Sequence, residues 1–427
     1  MHFIRLCAAA FTAACLAGPA PAGPSDAPSA GALDLRRAIE RALAYDPGLK
    51  AGGLAVEAAE GRKIQAGLSP NPEATVEVED SLGTGGYRGF SRTQTTLQIS
   101  QLFELGGKRD RRVAAAVATR DVARADAEVA RLDVMARTAD AFVGVLAAQR
   151  RLAIAEDRLK RTATLVPAFK RQAEAGASPK VEVSRGQVAA DLARIEAGRA
   201  KAALETARRN LASQWGASRL DFREVVGNLD TVSAPPPLSN VIADLDRNPR
   251  LLRWNALATQ RTAELGVQRS LATPDLTVGI GPRRYSESND TGVVFSLSMP
   301  IPVSNRNQGG IIEARKELEK TGQDRAAARD ELYRGLSDAY GDLSTAWDEI
   351  GQLRNSVLPS AGEALRGIQA GYGQGRFGVI DLLDAQGTLS EAEGRYGDAL
   401  AAYHRAVARI EGLSGRPLTR LNSSSSN

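Results

Sequence analysis

The stretch Asn71-Pro72-Glu73-Ala74-Thr75-Val76-Glu77-Val78-Glu79-Asp80 alternates apolar and polar side chains residue by residue. Ala74, Val76 and Val78 fall on one face of a strand, and Glu73, Thr75, Glu77 and Glu79 fall on the other. Three more segments repeat the pattern. Leu97 and Ile99 oppose Thr96, Gln98 and Ser100, while Leu276, Val278 and Ile280 oppose Asp275, Thr277 and Gly279. Phe295, Leu297 and Met299 oppose Ser296 and Ser298. Each run is about 8 to 11 residues long, the length of a tilted membrane strand. A soluble sheet resting on a core shows the same alternation.

These strands belong to an internal duplication. Asp46-Pro47 matches Asn248-Pro249 at a separation of 202, and Asn71 to Val76 matches Thr273 to Val278 at the same separation. Leu97-Gln98-Ile99-Ser100 matches Phe295-Ser296-Leu297-Ser298 at 198. Gly176, Val181-Glu182 and Gln187 match Gly375, Ile380-Asp381 and Gln386 at 199. The co-linear series defines a first repeat over 33–233 and a second over 239–416, joined at a Pro-rich linker, 234–238.

Each repeat reads as helix, two strands and two long helices. Strands are expected at about 72–81 and 93–103, then 274–283 and 291–301. Long helices are expected at about 107–175 and 180–214, then 309–372 and 378–412. The loops Ser81 to Arg92 and Arg284 to Asp290 are polar and contain glycine or other turn residues. Heptads run through the helices. Leu336, Leu343, Ile350 and Val357 interleave with Ala339, Ala346 and Leu353. Leu382, Leu389, Tyr396, Tyr403 and Ile410 interleave with Ala385, Ala392, Ala399 and Ala406. In the first repeat Leu132, Ala139, Leu146 and Ala153 alternate with Met135 and Phe142. Such 3–4 spacing signals coiled coil, with alanine permitting close approach. The helix over 107–175 would be about 100 Å long at roughly 1.5 Å per residue, a rod or a tube wall. Pro167 and Pro359 fall at matching places and should bend their helices.

The rest of the chain narrows the function. Arg5, an apolar run from Leu6 to Gly18 and the small-residue site Ala20-Pro21-Ala22 describe a secretory signal peptide over 1–22, followed by a linker, 23–32. Cys15 as a lipid-modified residue is an alternative. Cys7, Cys15 and His2 all lie in the leader, so the processed chain would carry no cysteine and one histidine, His404. That excludes disulfide staples and leaves few ligands for a resident transition metal. It also argues against an enzyme, since neither a Ser/His/Asp set nor a cysteine nucleophile is available. Gly371-x-Gly373-x-Gly375 is no phosphate loop, because no strand precedes it. The formal net charge of +5 is small for 427 residues and argues against nucleic-acid binding. Past the leader no apolar run is long enough for a transmembrane helix. A sheet in lipid must close, and four strands are too few, so several chains would share one barrel. The tail 417–427, with its four serines, reads as disordered.

The order of elements resembles the TolC-like outer-membrane efflux family. The resemblance rests on Leu35-x-x-Ala38-Ile39-x-x-Ala42-Leu43-x-x-Asp46-Pro47, on Phe103-Glu104-Leu105-Gly106-Gly107-Lys108-Arg109, and on Pro274-Asp275-Leu276-Thr277-Val278-Gly279. Ser298-Met299-Pro300-Ile301-Pro302 with Asn305-Arg306-Asn307-Gln308-Gly309, and Gly375-Arg376-Phe377-Gly378-Val379-Ile380-Asp381-Leu382-Leu383-Asp384-Ala385-Gln386, complete it. Together these look like the cobalt–zinc–cadmium resistance (CzcC-like) branch. The resemblance implies a mainly α fold with a β-barrel portion, built from two tandem repeats. It implies a homotrimer with a twelve-stranded barrel in outer-membrane lipid and a periplasmic helical tunnel. It also implies two partners, a periplasmic adaptor and an inner-membrane RND transporter, no cofactor, and passive export of heavy-metal cations. A duct for drugs or secreted proteins, and a periplasmic coiled-coil scaffold without a pore, are the competing readings.

The helix-to-helix turns at Ala175 to Pro179 and Gly373 to Gly378 should form the periplasmic tips. In the family such tips meet the adaptor, which makes Gly176, Ser178, Gly375, Arg376, Phe377 and Val379 contact candidates against simple turn chemistry. Asp381 and Asp384 are candidates for an entrance gate, against the bland role of acids in a helix's first turns. Glu73, Glu77 and Glu79 could line a lumen and favour cations, against ordinary hydration of a polar wall. His404 reads as a polar coil position.

Overall fold

A computed structural model describes residues 31–176, 178–243 and 245–416. The leader with Cys7, Cys15 and His2, residues 23–30 of the linker, Ala177 at the first tip and the tail 417–427 lie outside the described residues. The chain is mainly helical, with one small sheet. Among the described residues no helix is long and apolar enough to cross a membrane.

The two repeats open alike because the same capping chemistry occurs twice. Asp34 caps α1 (Leu35–Tyr45), accepting the Arg37 N–H at 2.8 Å. Asp46 then caps α2 (Pro47–Ala66) through the Leu49 N–H at 2.9 Å, with Pro47 in the first turn, where its missing N–H costs nothing. After strands β1 (Glu73–Glu79) and β2 (Gln94–Phe103) come the long helices α3 (Lys108–Glu174) and α4 (Lys180–Ser213). At 67 residues, α3 is about 100 Å long. The second repeat begins with α5 (Leu238–Ile242) and then α6 (Pro249–Ser270), where Asn248 and Pro249 reuse the cap-plus-proline device. Strands β3 (Leu276–Tyr285) and β4 (Thr291–Ser298) lead to α7 (Gln308–Gln352), α8 (Leu358–Gly373) and α9 (Val379–Ser414).

The strands form one antiparallel meander in the order β1-β2-β3-β4. Its boundaries differ from the expected ones for local reasons. Arg284 and Tyr285 belong to β3 rather than to the loop, because the Tyr285 N–H donates to the Asp290 carbonyl at 2.9 Å and extends the hairpin. Strand β4 stops at Ser298 instead of 301, since Pro300 has no N–H to give. The register also corrects the duplication. Val76 pairs with Leu97, and its counterpart Val278 pairs with Leu297. Leu97 therefore corresponds to Leu297 at a separation of 200, not to Phe295 at 198. The left-handed residues that precede α3 and α7, Gly107 (φ +68°) and Asn307 (φ +56°), are 200 apart as well.

The second-repeat heptads form the main core. Leu336, Leu343, Ile350, Tyr396, Tyr403 and Ile410 are buried with the alanines between them, while Val357 is exposed. The first-repeat frame is different. Of the expected positions Phe142 is buried, Leu132, Met135, Ala139 and Leu146 are half-buried and Ala153 is exposed. Val134, Thr138, Val145 and Phe169, which lie off that frame, are buried as well. This helix packs on α2, α4, α6 and α9, so no single stripe holds its contacts. The two prolines behave differently too. Pro359 follows a π-helical turn, Leu353–Val357, which separates α7 from α8 and takes up the missing bond. Pro167 lies inside an uninterrupted α3. The irregular segment between α4 and α5 is packed rather than free. Trp215, Phe222, Val225 and Leu229 are buried, and Leu33 bridges Val225.

Candidate functional site

The sheet has two chemically distinct faces. Residues paired across antiparallel strands point to the same side. The register therefore gathers Val76, Leu97, Ile99, Ile280, Phe295 and Leu297 on one face. All are exposed, Phe295 by 76% and Leu297 by 73%. A contiguous exposed apolar surface of this kind marks contact with lipid or protein. The opposite face carries Glu73, Glu77, Glu79, Thr96, Gln98, Ser296 and Ser298. Here the three glutamates separate. Glu79 forms an ion pair with Arg283 at 3.0 Å, and the same guanidinium donates to Thr96 Oγ1 at 2.8 Å and Gln94 Oε1 at 3.2 Å. The carboxylates of Glu73 and Glu77 have no partner among the described residues. Gly281 sits on this face where β3 presses against β2; a Cβ there would lie 2.0 Å from the Leu97 carbonyl oxygen.

Sheet and rods meet at two elbows. Lys108, its side chain 8% exposed, forms an ion pair with Asp275 at 2.6 Å, and Asp275 also accepts the Leu105 N–H at 3.1 Å. Arg112 grips both carboxylate oxygens of Glu104, a hydrogen bond that holds its guanidinium above the ordinary arginine range. The segment Phe103 to Arg109 thus ties the first hairpin to the start of the second. At the second elbow Asn307 donates to the Gln268 carbonyl at 2.8 Å.

The rods end in two turns. Gly176 (φ +70°) and Gly375 (φ +72°) both take the left-handed conformation that reverses a helix. The Arg376 N–H donates to the Gly371 carbonyl at 2.8 Å, and Phe377, half exposed, covers Gly371. A Cβ at Gly371 would fall 2.3 Å from that ring, so a larger residue would have to displace it. Val379, in contrast, is fully buried and has no surface to offer a partner. It shares a core with Phe169, Leu365, Leu382 and Ala385, which joins the two hairpins. Tyr372 strengthens that joint, its ring edge-on to Phe169 at 5.9 Å and its hydroxyl donating to Gln172 Oε1 at 2.5 Å. Burial, then the nearby Glu182, raise the Tyr372 hydroxyl above its ordinary value, against the bond to Gln172. Ser178 has an enclosed hydroxyl without a hydrogen-bond partner among the described residues. Asp381 and Asp384 are both exposed, but Asp381 accepts the Gly378 N–H at 2.8 Å and caps its own helix.

Between α4, α3, α9 and α7 runs an open groove of about 1350 Å³. Its floor is largely alanine, and several of its charges are paired across helices, among them Arg151 with Asp398 at 2.6 Å and Arg409 with Asp342 at 3.2 Å. His404 contacts the Leu229 carbonyl at 2.9 Å, which fixes the irregular segment to α9. No group of three or more metal-ligating side chains occurs among the described residues.

The family described as outer membrane efflux protein matches residues 38–217 and 243–416, and the chain belongs to that family. Membership places it in the bacterial outer membrane, extending into the periplasm. The chain is 34% identical to the cobalt-zinc-cadmium resistance protein CzcC of Cupriavidus metallidurans over 388 residues, 91% of each chain. It is 26% identical to the nickel-cobalt-cadmium resistance protein NccC of Alcaligenes xylosoxydans xylosoxydans over 273 residues, 64% of this chain and 62% of that one. Its fold is that of the channel CusC, with a TM-score of 0.73 at 16% identity, covering 90% of this chain and 92% of the other.

Proposed function

We propose that three copies close a twelve-stranded barrel and a helical tunnel, forming the passive exit duct of a tripartite RND-type system that exports heavy-metal cations. The sheet carries the reading: one face fit for lipid, one fit for water, and both edges open. Closing such edges in lipid requires further copies. The metal cargo rests on the likeness to CzcC and NccC. In this reading the polar face lines the bore, with Glu73 and Glu77 favouring cations and Glu79 offset by Arg283. The exposed tip residues Gly176, Gly375, Arg376 and Phe377, with the half-buried Ser178, meet the periplasmic adaptor, and Val379 holds the second tip from beneath. Asp384 lines the entrance, while Asp381 serves its helix. Deleting the gene should sensitise cells to one or more of zinc, cadmium, cobalt, copper and silver. Sensitivity to drugs alone would move the cargo assignment elsewhere.

A further inference from the structure

Resting on that ring reading, we propose that β4 of one copy pairs with β1 of the next in one defined register. Met299 lies opposite Val78, Ile301 opposite Val76, and Val303 opposite Ala74.

The direction of the backbone donors fixes which residues face the open edge. In an antiparallel pair only alternate residues aim their N–H and C=O groups at a given neighbour. The Tyr285 N–H donates to Asp290, so even-numbered residues of β4 face β3 and odd-numbered ones face the open edge. Pro300 and Pro302 occupy even positions. Their missing donors would have pointed at β3, so they end that pairing without blunting the outer edge. Met299, Ile301 and Val303 continue the outward row and are 52%, 81% and 80% exposed. In the free chain the Val303 N–H is satisfied only locally, by the Ile301 carbonyl at 2.9 Å.

The seam between repeats already exists once inside the chain. Strands β2 and β3 pair Ile99 with Ile280, Gln101 with Val278, and Phe103 with Leu276. The duplication carries β2 onto β4 at a separation of 200 and β3 onto β1 at 202. Applied together, they turn the internal pairs into the three pairs proposed. They also reproduce the donor parity independently. The Ser286 N–H donates to the Thr93 carbonyl, so odd β2 residues bond even β3 residues, which maps to odd β4 and even β1. The seam keeps apolar side chains opposite apolar ones and sets Ser298 opposite Glu79 on the polar face.

Cysteine cross-linking tests the register, since Cys7 and Cys15 are the only cysteines in the chain. Ser298 and Glu79 would form a non-hydrogen-bonded pair, with Cα atoms about 4.5 Å apart and suited to a disulfide. The full-length double variant Ser298→Cys/Glu79→Cys, mildly oxidised in outer membranes, should form covalent oligomers at least about tenfold faster than Ser298→Cys/Glu77→Cys or Ser298→Cys/Ser81→Cys, whose partners would lie diagonally, roughly 7–8 Å apart. Faster cross-linking by either comparison pair would overturn the register but leave the copies joined at these edges. No cross-link from any pair, in protein that still migrates as a heat-sensitive oligomer, would overturn edge pairing and leave the ring standing. A monomer would remove both. Outer-membrane fractionation of the single variants Ser298→Cys and Glu79→Cys separates lost pairing from lost folding.

Discussion

Arg283 is the residue on which the charge of the sheet's polar face turns. It neutralises Glu79 and ties β3 to β2 through Thr96 and Gln94. Replacing it by glutamine should free the Glu79 carboxylate and make the channel more cation-selective, read as a shift in reversal potential across a planar bilayer. An unchanged potential would take this face out of the conducting path. Gly281 is the complementary steric case. Alanine there would push into the Leu97 carbonyl and should destabilise the protein by about 1–3 kcal/mol, visible as dissociation of the unheated oligomer at lower temperature. The alternation around Glu73, Glu77 and Glu79 made their common face legible in the sequence. The pairing of Glu79 was not, because its cation is contributed by a strand of the other repeat. Val379 was misleading for a related reason: its place beside a turn reads as surface, yet it is buried in a core that Phe169 of another helix shares.

At the scale of elements, the elbow between sheet and rods is the joint most exposed to mutation. Lys108 is almost wholly enclosed, and its charge is compensated by Asp275. Asp275→Ala would strand that ammonium and should cost about 3 kcal/mol, measured as a lower urea midpoint of the detergent-solubilised protein. The conservative Asp275→Asn should recover part of the loss, since its side-chain oxygen still accepts the Leu105 N–H. Helices were readable where one stripe carries the packing, as with Leu336, Leu343 and Ile350 of α7. In α3 the heptad frame was incomplete: it caught Phe142, but neighbours surround the helix, so burial follows several lines at once and takes in Val134, Thr138 and Val145 besides. Proline was readable as punctuation but not in its effect: α3 accommodates Pro167, while a π turn precedes Pro359.

For the whole molecule, the duplication was the strongest signal in the sequence, because caps, prolines and turn glycines recur at nearly constant separation. Its fine alignment needed the hairpin registers, since a two-residue slip preserves the apolar alternation and leaves composition silent. The packed segment between the repeats was also illegible, for it holds together by irregular contacts such as Leu33 with Val225. What the molecule demands as a whole follows from its sheet, which offers an apolar face and, among the described residues, two unpaired edges to its surroundings. The mass of the unheated particle extracted from outer membranes, read by native mass spectrometry, tests this most directly. Three chain masses are predicted; a particle of one chain mass, stable with both edges uncovered, would contradict the account.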